Sequence, residues 1–173
     1  MVCVGMQQRK RVKNAMTNVE KQDFTLRISQ ANPTQMVVIL YEMLLCYVKD
    51  GKTALEQGND TDLQAAVRRA RGCVGELMNS LNLQYEPAPA LLGLYGFCIR
   101  KLAAAESGKR VLPLEEIERI VIPLKDAYGQ IAGQNSAGPV MGNSQTVYAG
   151  LTYGRNSLTE NMTDQGANRG MYV

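Results

Sequence analysis

The chain has 173 residues, 45% of them hydrophobic, with a formal net charge of +3 and neither histidine nor tryptophan. Without histidine the commonest general base, the usual metal ligand and the Ser-His and Cys-His nucleophile pairs are all missing. A di-metal bundle built on Glu-x-x-His is excluded with them, so no enzyme chemistry, metal or cofactor is expected of what reads as one domain with extra segments.

The excess charge sits at one end. Residues 1–30 hold six Lys and Arg against two acids, whereas residues 31–132 hold eleven against twelve. Residues 1–23 read as a flexible basic arm carrying Arg9, Lys10, Arg11 and Lys13. Its short apolar stretch precedes the charges, the reverse of a secretion signal, and no run of about 18 apolar residues follows that could span a membrane. Cys3, Cys46, Cys73 and Cys98 lie far apart with no C-x-x-C pair, as in a reduced chain. The expected location is the cytoplasm. Phe24, Leu26 and Ile28 then alternate with polar residues just before the first helix signal. They fit either a lid over an apolar surface or a staple onto that helix.

Four helices are expected in residues 24–132. The first opens at Asn32-Pro33, a capping residue followed by a proline whose missing N–H costs nothing there. It runs to about Gln57 with a wide apolar face that includes Met36, Leu40, Met43, Leu44 and Tyr47. The second opens after Asp60 or Thr61, with Leu63, Val67, Ala70, Val74, Leu77 and Leu81 at alternating spacings of four and three. The third follows Pro87 and Pro89, carries Leu91, Tyr95, Cys98, Ile99 and Leu102, and stops at Ser107-Gly108. The fourth follows Pro113, with Glu115, Glu116 and Glu118 at the positive end of its dipole. Pro123 lies inside it and is expected to kink or divide it. Helices of this length and linkage predict an all-α fold, an antiparallel up-down-up-down four-helix bundle with a kinked last helix and flexible termini. Residues 133–173 are rich in Gly, Asn, Ser and Thr and read as a disordered tail, though Tyr148 to Gly154 forms a sticky run.

Four segments together resemble a known family. Ile28-x-Gln30-Ala31-Asn32-Pro33-x-x-Met36-x-x-x-Leu40-Tyr41 resembles the opening V-x-T-A-[ST]-P-x-x-L-x-x-x-L-Y of the flagellar secretion chaperones, the FliS family. Residues 69–82, Leu94 to Leu102, and Leu124-Lys125-Asp126-Ala127-Tyr128 are similar to the family's later segments, in the same order. Gly96 stands where Asp is usual and Tyr128 where Trp is usual. The resemblance implies a bundle that holds newly made flagellin through its disordered carboxy-terminal segment, prevents premature polymerisation and delivers it to the export-gate protein of the secretion apparatus. It also implies that an amino-terminal segment covers part of the binding surface until the client displaces it.

An amphipathic client helix needs an apolar groove. Tyr41, Leu44, Tyr95, Ile99 and Leu102 are candidates to line one, with Phe24 and Ile28 as the lid. The same five positions also fit a bundle core, and the pattern leaves both readings open. Tyr41 and Tyr95 stand out because a phenol favours a half-wet boundary. The alternative function is a nucleic-acid-linked regulator using the basic arm, a weak signal without interleaved aromatics; the main reading involves no nucleic acid and no membrane insertion.

Overall fold

The computed structural model describes residues 16–141. They form α1 (Asn18–Gln30), α2 (Pro33–Glu56), α3 (Asp60–Asn79), α4 (Ala88–Gly108) and α5 (Leu112–Ala132). There is no strand among the described residues. The basic cluster at residues 9–13 and the Tyr148–Gly154 run lie outside them.

The helix starts follow local chemistry. Asn32 caps α2 in a reciprocal box: its Oδ1 accepts from the Gln35 N–H (2.8 Å) while Gln35 Oε1 accepts from the Asn32 N–H (3.0 Å). Pro33 follows at the first helical position. Asn59 caps α3 by accepting from the Asp62 N–H at 3.2 Å. Between α2 and α3 the chain turns through Gly58 at φ +64°, a left-handed conformation that glycine adopts without strain.

Each of α2 to α5 packs on the next, and α5 returns to α2. The side-chain pairs show neighbouring helices running with opposed ends. Tyr41, near the start of α2, meets Tyr128, near the end of α5, edge to face at 5.7 Å. Lys52, near the end of α2, pairs with Glu118, near the start of α5, at 2.5 Å. Arg71–Glu106 (3.0 Å) and Lys101–Glu116 tie α4 to α3 and α5. Gly51 lets α5 come close to α2, since a Cβ there would stand 3.3 Å from Leu114 Cδ1.

The core lies inside this ring. Tyr41, Leu44, Leu63, Leu77, Leu102, Leu114 and Ile117 are its largest fully buried side chains. α4 is long and apolar enough to cross a membrane by length and composition alone. Here Leu91, Tyr95, Cys98, Leu102 and Ala105 of that helix are buried among its neighbours.

Pro123 does not divide α5, which runs unbroken from Leu112 to Ala132. The proline removes the N–H that would bond the Arg119 carbonyl. Both residues are exposed, so water can satisfy that carbonyl. The amino-terminal boundary also differs from the expected one: residues 18–23 belong to a helix that extends through Gln30. After α5 the chain does not leave the bundle at once. Residues 134–141 form a strap back to the α1–α2 junction, where the Val140 N–H donates to the Ala31 carbonyl at 2.9 Å.

A covered apolar face on α2

The candidate site is built by α1 and the outer side of α2. Thr17 caps α1 with a box of its own. Its hydroxyl accepts from the Glu20 N–H (3.2 Å), and Glu20 Oε2 accepts from the Thr17 N–H (2.7 Å). The Thr17 N–H, and after it the Thr17 hydroxyl donating to the same Oε2 at 3.0 Å, hold the Glu20 carboxyl below the ordinary carboxylate range. In a helix Phe24 and Ile28 are one turn apart and share a face. That face turns toward α2, where Met16, Phe24, Ala31 and Ile39 form a buried cluster flanked by Ile28, Met36, Met43, Cys46 and Tyr47. Leu26 and Val19 point away and are exposed.

Polar groups hold the rim. Arg27 pairs with Glu42 of α2 at 2.6 Å and lies over the Phe24 ring, 5.6 Å from its centroid. Both charged side chains are about a third exposed, so this pair contributes no more than about 1 kcal/mol. The Met16 N–H donates to Asp50 Oδ2 at 3.1 Å. Burial pushes the Asp50 carboxyl above the ordinary range, and the Met16 bond only partly opposes it. Cys46 under the same cover is also raised, first by burial and then by the nearby Glu20 and Asp50 charges. A cavity of about 400 Å³ opens where α1 meets α2 and α5, lined by Arg27, Gln30, Gln35, Ile39, Gly129 and Ala132 among others.

The expected site residues divide into two groups. Phe24 is buried against α2, and Ile28 is half-buried beside it. Tyr41, Leu44, Tyr95 and Leu102 are no more than 3% exposed and belong to the main core; Ile99 packs on that core, half-buried. The wet boundary expected for the two phenols is therefore corrected. Their hydroxyls meet at 2.5 Å, one donating to the other inside the bundle. Of the α2 residues at this cluster, the sequence marks Met36, Met43 and Tyr47 as helix face and not as site, and it does not single out Ile39. The signal is the width of the apolar face: Met36 and Ile39 lie to one side of it, and Met43 and Tyr47 at its edge pack on both the main core and this cluster.

The buried polar chemistry is inert. Burial raises Tyr41 and Tyr95 and pushes the Cys73 and Cys98 thiols up to about 11, away from the reactive thiolate. Among the described residues no cluster of carboxylates and thiols is arranged to hold a metal ion.

The fold and this face define an all-helical bundle protein with an apolar surface covered by its own first helix. The sequence pattern of the flagellar protein FliS family matches residues 13–135, most of the chain, and the chain belongs to that family. The family is one of helical flagellar chaperones and not of known enzymes, which gives this chain a chaperone role with a flagellar protein as its partner. No curated protein matches the chain in sequence.

Proposed function

We propose that the chain is a cytoplasmic export chaperone that binds the disordered carboxy-terminal segment of flagellin. The observation that carries this reading is that α1 packs on α2 through only two apolar side chains. A fully buried Phe or Ile side chain contributes roughly 1.5–3 kcal/mol, and α1 inserts only Phe24 and Ile28. An amphipathic client helix with a continuous apolar stripe can offer more area to the same α2 face and displace α1. On this reading Met36, Ile39, Met43 and Tyr47 receive the client, and Phe24 and Ile28 are the cover it replaces. Tyr41, Leu44, Tyr95, Ile99 and Leu102 serve from beneath, as the packed support that keeps the face in shape. α2 to α5 act as an antiparallel up-down-up-down four-helix bundle throughout. Burying the client's terminus prevents premature polymerisation, and the loaded complex passes to the export-gate protein.

Calorimetric titration with a peptide of about 40 residues from the carboxy terminus of the host's flagellin tests this reading, since disordered segments fold onto partners on that scale. One-to-one binding with a negative heat-capacity change is the expected result. No binding heat, either to the chain or to the Phe24→Ala variant with its weakened cover, would overturn it.

A further inference from the structure

Glu42 stands halfway along the α2 face that α1 covers. It lies one helical turn from Ile39 and one from Cys46, so it shares their side of the helix. Ile39 is buried in the cluster beneath α1, and Cys46 packs against that cluster half-buried. The other α2 side chains of the cluster are Met36, Met43 and Tyr47, none of them charged.

α1 answers this carboxylate with Arg27. The guanidinium stands 2.6 Å from Glu42 Oε2 and lies over the Phe24 ring. Asp23, one turn earlier on α1, is a more distant partner at 3.8 Å and is 60% exposed. Arg27 therefore holds a defined place in the cover. It comes three residues after Phe24 and four before Ala31, both of which are buried in the cluster.

Displacing α1 takes that cation away. With α1 in place the Glu42 side chain is 31% exposed. A client that lays more area on the face covers the carboxylate further, and must bring a cation to it or leave it poorly solvated. The gain from the right charge is small at this exposure. The discrimination comes mostly from the wrong one, since an acidic or apolar side chain laid on Glu42 costs it water without supplying a partner.

We propose that Glu42 is a specificity-determining residue of the α2 face. It selects client helices that carry Lys or Arg one turn from an apolar anchor, the place that Arg27 holds on α1. The inference rests on the proposed reading of α1 as a displaceable cover.

Substitutions on the two sides of the pair distinguish a contact made to the client from one that only holds the cover. Arg27 leaves with α1, whereas Glu42 stays to meet the client. Arg27→Gln and Glu42→Gln break the same pair, so both should loosen α1 equally. Loosening is read by mass spectrometry as maleimide labelling of Cys46, in the full chain carrying Cys3→Ser. Cys46 lies against the cluster under α1, while Cys73 and Cys98 belong to the main core. Cys46 labelling should rise about threefold in each variant, the scale of a partly exposed ion pair, with Cys98 unchanged. Affinity for the carboxy-terminal peptide of the host's flagellin should then split. Arg27→Gln should bind about threefold tighter, because only the cover is weakened. Glu42→Gln should bind no tighter, because the client loses what the cover loses. Replacing the peptide's Lys and Arg residues by Glu one at a time should also find one decisive position. There the replacement weakens binding to the unsubstituted chain and strengthens binding to Glu42→Lys.

Equal tightening in Arg27→Gln and Glu42→Gln would mean that Glu42 serves the cover alone. That result would overturn the inference and leave the client reading intact. Unchanged Cys46 labelling in both variants, or a peptide series with no decisive position, would do the same. No binding by any variant, Phe24→Ala included, would overturn the client reading and the inference with it.

Discussion

The bundle of α2 to α5 and the cover formed by α1 use the same amino-acid types for opposite ends. Inside the bundle each helix has apolar neighbours on two sides, and side chains such as Leu77, Leu102 and Ile117 are fully buried. α1 has α2 as its main neighbour and inserts one aromatic ring and part of one isoleucine. Packing on two sides makes the bundle cooperative, whereas packing on one side gives α1 its own, smaller opening free energy. On the proposed reading the difference separates a support that does not change from a segment that the client replaces.

The largest expected effect lies in the support. Leu102→Ala leaves a cavity in the ring of helices and should cost about 2–5 kcal/mol, read as a fall in the thermal melting temperature. Next comes Tyr41→Phe, which strands the buried Tyr95 hydroxyl and should cost about 1–3 kcal/mol. Adding Tyr95→Phe removes the stranded partner, so the double variant should be more stable than the sum of the singles predicts. Strict additivity in denaturant melts would mean that the two hydroxyls do not depend on each other.

Phe24→Ala should behave differently. It removes the main anchor of a one-sided contact, so the global melt should move less than for Leu102→Ala, while Cys46 labelling and affinity for the flagellin peptide should both rise severalfold. A melt shifted as far as that of Leu102→Ala would erase the distinction between cover and support.

The smallest effect is electrostatic and opposes itself. Glu20 has a lowered folded pKa, so its contribution is present above the ordinary carboxylate range and is lost as pH falls through the folded value. Asp50 has a raised folded pKa, so its charged form is a cost that is relieved as pH falls through its folded value. Carboxyl titration by NMR should find Glu20 below and Asp50 above the ordinary range. Thr17→Ala should bring Glu20 back toward that range, and an unmoved Glu20 would separate its pKa from the cap.

Much of the bundle was legible in the sequence because its helix starts are marked by single residues with one local role. Asn32, Pro33 and the caps near Asp60 act within a few residues of themselves, and the spacing from Leu63 to Leu77 needs no tertiary information. α1 is hidden in the sequence because Phe24, Leu26 and Ile28 alternate with polar residues, a period that does not signal a helix. The helix buries the first, half-buries the third and exposes the second. Its signal was the Thr17-x-x-Glu20 box, eleven residues before Ile28. The phenols mislead for a different reason: a lone hydroxyl favours a wet boundary, but one from α2 and one from α4 can bond to each other inside the bundle, and sequence does not show that they meet. The strap was hidden because its anchors are backbone groups and Asn135, more than 100 residues from their partners.

The central claim is that α1 occupies a face of α2 which the client takes over while α2 to α5 stay as they are. Amide hydrogen exchange of the full chain, with and without the flagellin carboxy-terminal peptide, tests it most directly. The account predicts that binding removes protection from residues 18–30 and leaves the core of α2 to α5 as protected as before. Protection of α1 that stays the same or increases in the saturated complex would contradict it.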